Sequence, residues 1–153
     1  MPCHSPWPKF SFTRYFPLRI AAHFCKIESY KTNFTPNIGW ILNNLKCKPI
    51  LVGGVVDHIH ILSTLARTCE PAEMVKEDKR SSSIWIKTHD PNLKQFAWQG
   101  GYGMFSIGFS QIHAVRRYIE NQEEHHRKTS FQDEFRLLLK KYHIDFDERY
   151  VWD

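Results

Sequence analysis

Hydrophobic and polar positions are most ordered between Pro49 and Leu62. Pro49-Ile50-Leu51-Val52 is an apolar run, Gly53-Gly54 a turn signal, and Val55 to Leu62 a second strand-like run, which together predict a β-hairpin. Upstream, Lys9 to Tyr15 alternates only weakly, and Pro6, Pro8 and Pro17 interrupt regular structure. Thr35-Pro36 resembles an N-cap followed by proline at the first helical position, predicting a short helix through Lys46. Downstream, Pro71 to about Arg80 has acids first and lysines later, as a helix dipole prefers; Ser81-Ser82-Ser83 either ends this helix or lies within a longer one reaching Lys87. His89 to Asn92 reads as a loop, and Phe96 to Ile107 as a strand in which Gly100, Gly101 and Gly103 mark a bend or a close backbone approach. Ser110 is placed to cap a helix running to about Lys128, with Ile112, Val115 and Ile119 as its apolar stripe. A last helix begins at Thr129 or Ser130, with Gln132 or Asp133 placed for a capping box and a stripe of Phe131, Phe135, Leu138, Leu139 and Tyr142. Strands and helices are interspersed around a hairpin, so the expected class is α+β with a mainly antiparallel sheet.

Composition narrows the picture. The 153 residues suit one domain, and 42% hydrophobic with 14% aromatic residues supply a core, which excludes wholesale disorder. No apolar run approaches the ~20 residues a bilayer span needs, and the first residues lack the layout of a signal peptide, so the expectation is a cytoplasmic protein with no membrane partner. A net charge of +5 suits a polyanion without singling one out. The 4 cysteines form no C-x-x-C pair, so a thiolate zinc site is not expected and the thiols are read as free.

The stretch richest in chemistry is Asp57-His58-Ile59-His60-Ile61-Leu62. On a strand, His58 and His60 share one face while Ile59 and Ile61 enter the core on the other. Two imidazoles about 6–7 Å apart along one face can converge on a divalent metal; two surface or hydrogen-bonded histidines are the plainer alternative. On the later helix Tyr118 and Gln122 are four apart and share a face, on one flank of the apolar stripe. Taken alone, each reads as an ordinary core-edge aromatic and an ordinary solvated amide. Glu120 and Glu124 project elsewhere, and His125 points in a direction similar to Tyr118.

His58-Ile59-His60 resembles the HUH motif (histidine, hydrophobic, histidine), and Tyr118-Ile119-Glu120-Asn121-Gln122 resembles the Y-x-x-x-Q motif of single-tyrosine HUH transposases, the IS200-like enzymes of small bacterial insertion sequences. Flanking runs are similar too: Gly53 to Asp57, Trp98 to Ile107, Asn121 to Lys128 and Asp147 to Trp152, so that the resemblance spans roughly residues 38 to 153. It implies a single transposase domain over 1–153 with a ferredoxin-like α+β sandwich. It further implies that His58, His60 and Gln122 hold Mg²⁺ or Mn²⁺ and that Tyr118 is the nucleophile. The product would be a 5′-phosphotyrosine, whose retained bond energy allows a second strand end to rejoin. The expected partner is single-stranded DNA carrying a hairpin, bound by a homodimer. Candidate phosphate contacts are Lys76, Lys79, Arg80, Lys87, Arg116, Arg117 and Lys128, each also readable as a solvated charge; Trp98 or Tyr102 could stack unpaired bases.

The chain departs from the family pattern over residues 1–37. The family's opening strand lies in the middle of the sheet, and Lys9 to Phe16 replaces it poorly. Were that strand missing, the sheet would lose pairing on both sides, which favours a decayed or domesticated relative that binds hairpin DNA without cutting. A third reading is an unrelated metal-dependent phosphoesterase with a water nucleophile.

Overall fold

A computed structural model describes residues 15–23, 31–55, 58–122, 124 and 130–148, with backbone alone for 15–23, 31–33, 99 and 131. Four strands, β1 (Tyr15–His23), β2 (Pro49–Gly54), β3 (His58–Thr64) and β4 (Ala97–Met104), form one sheet in the order β2-β3-β1-β4. The described neighbours in it pair antiparallel. Helices α1 (Lys31–Asn44) and α2 (Pro71–His89) complete a β-α-β-β-α-β unit, the ferredoxin-like arrangement expected from the sequence. Helices α3 (Ile112–Glu120) and α4 (Phe131–Lys141) follow among the described residues, with Gln122 and Glu124 also helical between them.

The period of two in β3 divides the molecule into layers. Ile59 and Ile61 join Phe34, Ile38, Ile41 and Leu42 of α1 and Met74, Val75 and Ile86 of α2 in one core. Leu62, on the other face, packs with Ile107 and Ile119 under α3. A third cluster, Phe105, Phe135 and Leu139, seats α4 beyond the end of β4. Of its predicted stripe, Phe135 and Leu139 are buried, and Leu138 and Tyr142 pack against them. Ser130 caps α4 as expected, its hydroxyl accepting from the Asp133 N–H.

Several expectations need correction. Whereas the earlier run from Lys9 to Arg14 lies outside the described residues, the described strand β1, Tyr15–His23, occupies the middle of the sheet between β3 and β4. Pro17 lies within it, opposite Leu62; pairing to β4 begins only at Leu18, so the proline sits where the strand is paired on one side. Helix α1 starts at Lys31, a turn before Thr35, with Pro36 inside it. Burial of Phe34, whose ring lies 6.1 Å from both Trp85 and Trp98, rewards the extra turn and outweighs the one backbone bond a proline forfeits. Gly53 and Gly54 are not the hairpin turn but the end of β2, facing His60 and Ile59. The hairpin closes later, where Val55 N–H donates to the His58 carbonyl at 3.0 Å. The serine run lies inside α2, which continues to His89. Helix α3 is preceded by a 3-10 turn over Phe109–Gln111, capped by Gly108 rather than Ser110, and ends at Glu120. The glycine-rich stretch of β4 does bend: its register against β1 shifts between Ile20↔Tyr102 and Ala22↔Trp98.

Asp78, on the buried side of α2, is fully enclosed, and neither carboxyl oxygen has a hydrogen-bond partner among the described residues. Burial, with the neighbouring Glu77 charge adding to it, pushes its pKa up to about 8. A carboxyl raised in the folded state stabilises most below its unfolded pKa, and that stability drains away as pH climbs toward the folded value. We therefore expect wild-type protein to lose on the order of 2–4 kcal/mol between pH 5 and pH 8 from this group, and Asp78→Asn to flatten the dependence, as read by urea denaturation at each pH. Parallel pH profiles for the two proteins would contradict the assignment.

Candidate metal centre and tyrosine site

The site forms on the face of β3 covered by α3 and α4. Alternation along the strand sends His58 and His60 to that face, and both are buried, at 0% and 4% exposure. Their rings meet edge to face with centroids 4.8 Å apart, and the two Nε2 atoms stand 3.1 Å from one another. Gln122 is as enclosed as the histidines, and its Oε1 lies 3.3 Å from His58 Nε2. An amide oxygen and two imidazole nitrogens thus point at one spot. Nitrogens bound to one cation at ~2.1 Å in adjacent positions stand ~3 Å apart, so the histidine spacing fits a shared ion. The donor set has the composition such an ion accepts, imidazoles with oxygen.

Tyr118 is half-buried on the flank of the α3 stripe, its ring 5.4 Å from that of His60 at a near-perpendicular angle. Its hydroxyl donates to Glu134 Oε1 from the first turn of α4. Gln122 Nε2 lies 3.4 Å from the same carboxylate oxygen and 3.4 Å from the Tyr118 carbonyl. Glu134, His58 and His60 offer ligand atoms that all lie within 4.8 Å of one another. Sequence reading missed Glu134, because an acid three residues past a serine cap is what any helix start shows. A cleft of about 240 Å³ opens beside the tyrosine, lined by His60, Phe105, Val115, Tyr118, Leu138, Lys141 and Tyr142 among others. Lys141, also unremarked in the sequence, brings a cation to its rim.

The other candidates divide between the two sides of the sheet. Arg116 and Arg117 are exposed on α3 with Tyr118, Arg116 lying 3.9 Å from Glu120. Lys76, Arg80 and Lys87 are exposed on α2, which covers the opposite face. Arg80 holds Glu77 through two bonds of 3.0 and 2.9 Å. Lys79 is half-buried and donates to the carbonyls of Gly100 and Gly101, tying α2 to the bend of β4; burial lowers its pKa. Trp98 serves the core, its Nε1–H bonded to Ser82, whereas Tyr102 is exposed beneath the Lys79 ammonium. Lys128 and His125 lie outside the described residues.

Gly53 sets the distance between α3 and the sheet. It sits opposite His60, and a Cβ there would stand 2.7 Å from Ile119 Cγ2 and 3.4 Å from the Ile119 carbonyl. Ile119 is stiff at χ1 and buried, so the helix itself would have to lift.

Comparison with known proteins adds to this geometry. The family model described as "Transposase IS200 like" matches residues 25–122, so the match reaches further toward the N-terminus than the resemblance read from the motifs. Among solved structures, a chain from Deinococcus radiodurans R1 described as a transposase superposes with a TM-score of 0.60 at 17% identity, covering 77% of this chain and 97% of that one. A REP-associated tyrosine transposase bound to a REP hairpin superposes with a TM-score of 0.58 at 14% identity, covering 80% of this chain and 74% of that one. No curated protein matches the chain.

Substituting Gly53→Ala is expected to cost about 1–3 kcal/mol in denaturant unfolding. Unchanged stability would show that α3 does not rest on that glycine.

Proposed function

The chain belongs to the IS200-like transposase family, and from that premise we propose that it is a single-tyrosine transposase that cuts and rejoins single-stranded DNA. In this reading residues 1–153 form one transposase domain, Tyr118 is the nucleophile, and His58, His60 and Gln122 hold a divalent cation, Mg²⁺ or Mn²⁺. The observation that carries it is the meeting, on one buried strand face, of two imidazoles, an amide oxygen and a phenol from a separate helix. A surface pair of histidines would have no reason to be so enclosed.

When bound, the cation would polarise the scissile phosphate and offset charge on the leaving 3′-oxygen. The remaining work falls to the protein. A free phenol ionises near pH 10, so Tyr118 must shed its proton as it attacks. Its oxygen forms a bond to phosphorus while the bond to the 3′-oxygen breaks, leaving a 5′-phosphotyrosine and a free 3′-hydroxyl. That covalent link keeps the phosphodiester energy, and a second 3′-hydroxyl reverses the step without ATP. Gln122 follows the end of α3, and its Nε2 lies 3.4 Å from the Tyr118 carbonyl, which suits a nucleophile and a ligand held side by side.

Lys141, which lines the cleft, and Arg116 and Arg117, exposed on α3, are suited to phosphates of the cut strand; Lys76, Lys79, Arg80, Lys87 and Lys128 remain candidates for the flanking DNA. The hairpin carried by the REP-associated neighbour supports a hairpin as the recognised feature here; a homodimer as the working unit is what the family resemblance implies. No helix among the described residues is long and apolar enough to cross a membrane, which suits an enzyme acting on cytoplasmic DNA. The central β1 removes the main reason to favour a decayed, non-cutting relative, because the sheet has all four strands.

The test is a denaturing-gel assay on single-stranded DNA flanking the native gene. Wild-type protein with Mn²⁺ or Mg²⁺ is expected to form a covalent adduct; Tyr118→Phe should reduce it to background, and EDTA or His58→Ala should do the same. Cleavage that survives Tyr118→Phe would point to a water nucleophile. A hairpin gel shift with no adduct in either metal would return the chain to the binding-only class.

A further inference from the structure

We propose that Glu134 is a further ligand of the cation held by His58, His60 and Gln122, and that the same carboxylate positions the Tyr118 hydroxyl, so that cation and nucleophile are tied through one side chain. The inference rests on the cation site of the preceding section and adds a residue that neither motif contains.

Charge is the first argument. Two neutral imidazoles and a neutral amide leave both charges of a divalent ion uncompensated in a buried site, and such an ion is poorly held without an anionic partner. Mg²⁺ and Mn²⁺ also favour hard oxygen donors, of which the amide is a weak example. Glu134 supplies both the missing negative charge and the missing oxygen. It does so from α4, an element independent of those carrying the other three side chains.

Distance is the second. The candidate ligand atoms of Glu134, His58 and His60 lie within 4.8 Å of one another. Ligands on opposite sides of one ion at ~2.1 Å stand ~4.2 Å apart, so a closure of a few tenths of an ångström completes the set. The third argument is what else the carboxylate touches. Oxygens that ligate metals are commonly oriented by hydrogen bonds from outside the site. Glu134 Oε1 is the acceptor for the Tyr118 hydroxyl, with Gln122 Nε2 3.4 Å away. An acid that served only the helix dipole would face solvent in the first turn, as Asp133 does. Glu134 turns inward, toward the histidines.

The arrangement makes cation binding and nucleophile placement reciprocal: whatever fixes the carboxylate for one fixes it for the other. Titration of MnCl₂ into the full chain, followed by calorimetry and by the Mn²⁺ electron spin resonance signal, tests this without using activity. We expect Glu134→Gln, which keeps shape and loses charge, to weaken Mn²⁺ binding by roughly tenfold or more, and Glu134→Asp to recover part of the loss. Tyr118→Phe, which keeps the ring against His60 and removes the hydroxyl, should weaken binding several-fold in the wild-type background and much less in the Glu134→Gln background, because the hydroxyl meets the ligand set at that carboxylate. Thermal unfolding of each variant separates a folding defect from a lost ligand. Wild-type affinity in Glu134→Gln would overturn the ligand assignment, and wild-type affinity in Tyr118→Phe would overturn the tie to the nucleophile. If wild-type protein fails to bind Mn²⁺ at all, the cation site itself falls, an outcome distinct from either.

Discussion

At Gly53 the sheet and the helix that carries Tyr118 approach so closely that a Cβ would meet Ile119, and the site depends on this contact. Because β2 presents no side chain at that position, α3 settles onto the backbone beside His60. The close seat has two consequences. It buries Ile119 against Leu62 and Ile107, which anchors the helix by apolar contact rather than by the polar groups of the site. It also brings Tyr118 into edge contact with His60, one turn before Gln122 reaches His58. Chemistry-bearing residues are then held by packing, which is insensitive to their protonation or ligation. Preorganisation of this kind leaves little conformational cost to meet when a ligand arrives.

How far this was legible in the sequence depended on whether a signal had one meaning or two. His58-Ile59-His60 could be placed because strand alternation gives the two histidines a common face whatever surrounds them. Tyr118 and Gln122 do lie close, as their spacing suggested, although α3 ends between them at Glu120, and the capping serine of α4 could be read from its position before an acidic turn. The glycine pair misled because glycine marks both turns and close approaches, and only the position of α3 decides between them. Proline misled for a similar reason. Pro36 is an acceptable helix start, yet the burial of Phe34 draws the helix back to Lys31; Pro17 argues against a central strand, yet falls where β1 has only one neighbour. Glu134 carried no signal at all. Its meaning is set by the packing of α4 against Phe105, a contact between distant elements that no local pattern announces.

The two faces of the sheet divide labour. The α1–α2 face holds most of the apolar core, and the buried carboxyl of Asp78 on α2 sets a pH dependence of stability rather than of chemistry. The α3–α4 face holds two smaller apolar clusters, and between them lie the polar residues of the site and the cleft. A polar cluster of histidines, amide, phenol and carboxylate would weaken the main core if placed there. Between two smaller clusters it costs less, and a cleft remains open beside the tyrosine.

Strand β3 belongs to both layers, and its register is therefore the constraint on which the division rests. A slip by one residue would exchange every side chain between faces, sending the histidines into the α1–α2 core and the isoleucines into the site. The strand is locked at both ends. At one, the hairpin closes through Val55 N–H and the His58 carbonyl; at the other, Lys48 and Thr64 exchange two bonds of 2.9 Å, one to the Thr64 hydroxyl and one from its N–H. Between these ends β1 and β2 pair with it on either side, and apolar burial alternates with the polar site residue by residue. The slipped arrangement would have to bury two imidazoles among aliphatic side chains and expose two isoleucines to a cleft, so it is opposed by desolvation as well as by lost backbone bonds. The alternation of imidazoles and isoleucines along β3 thus helps to fix the register of the sheet.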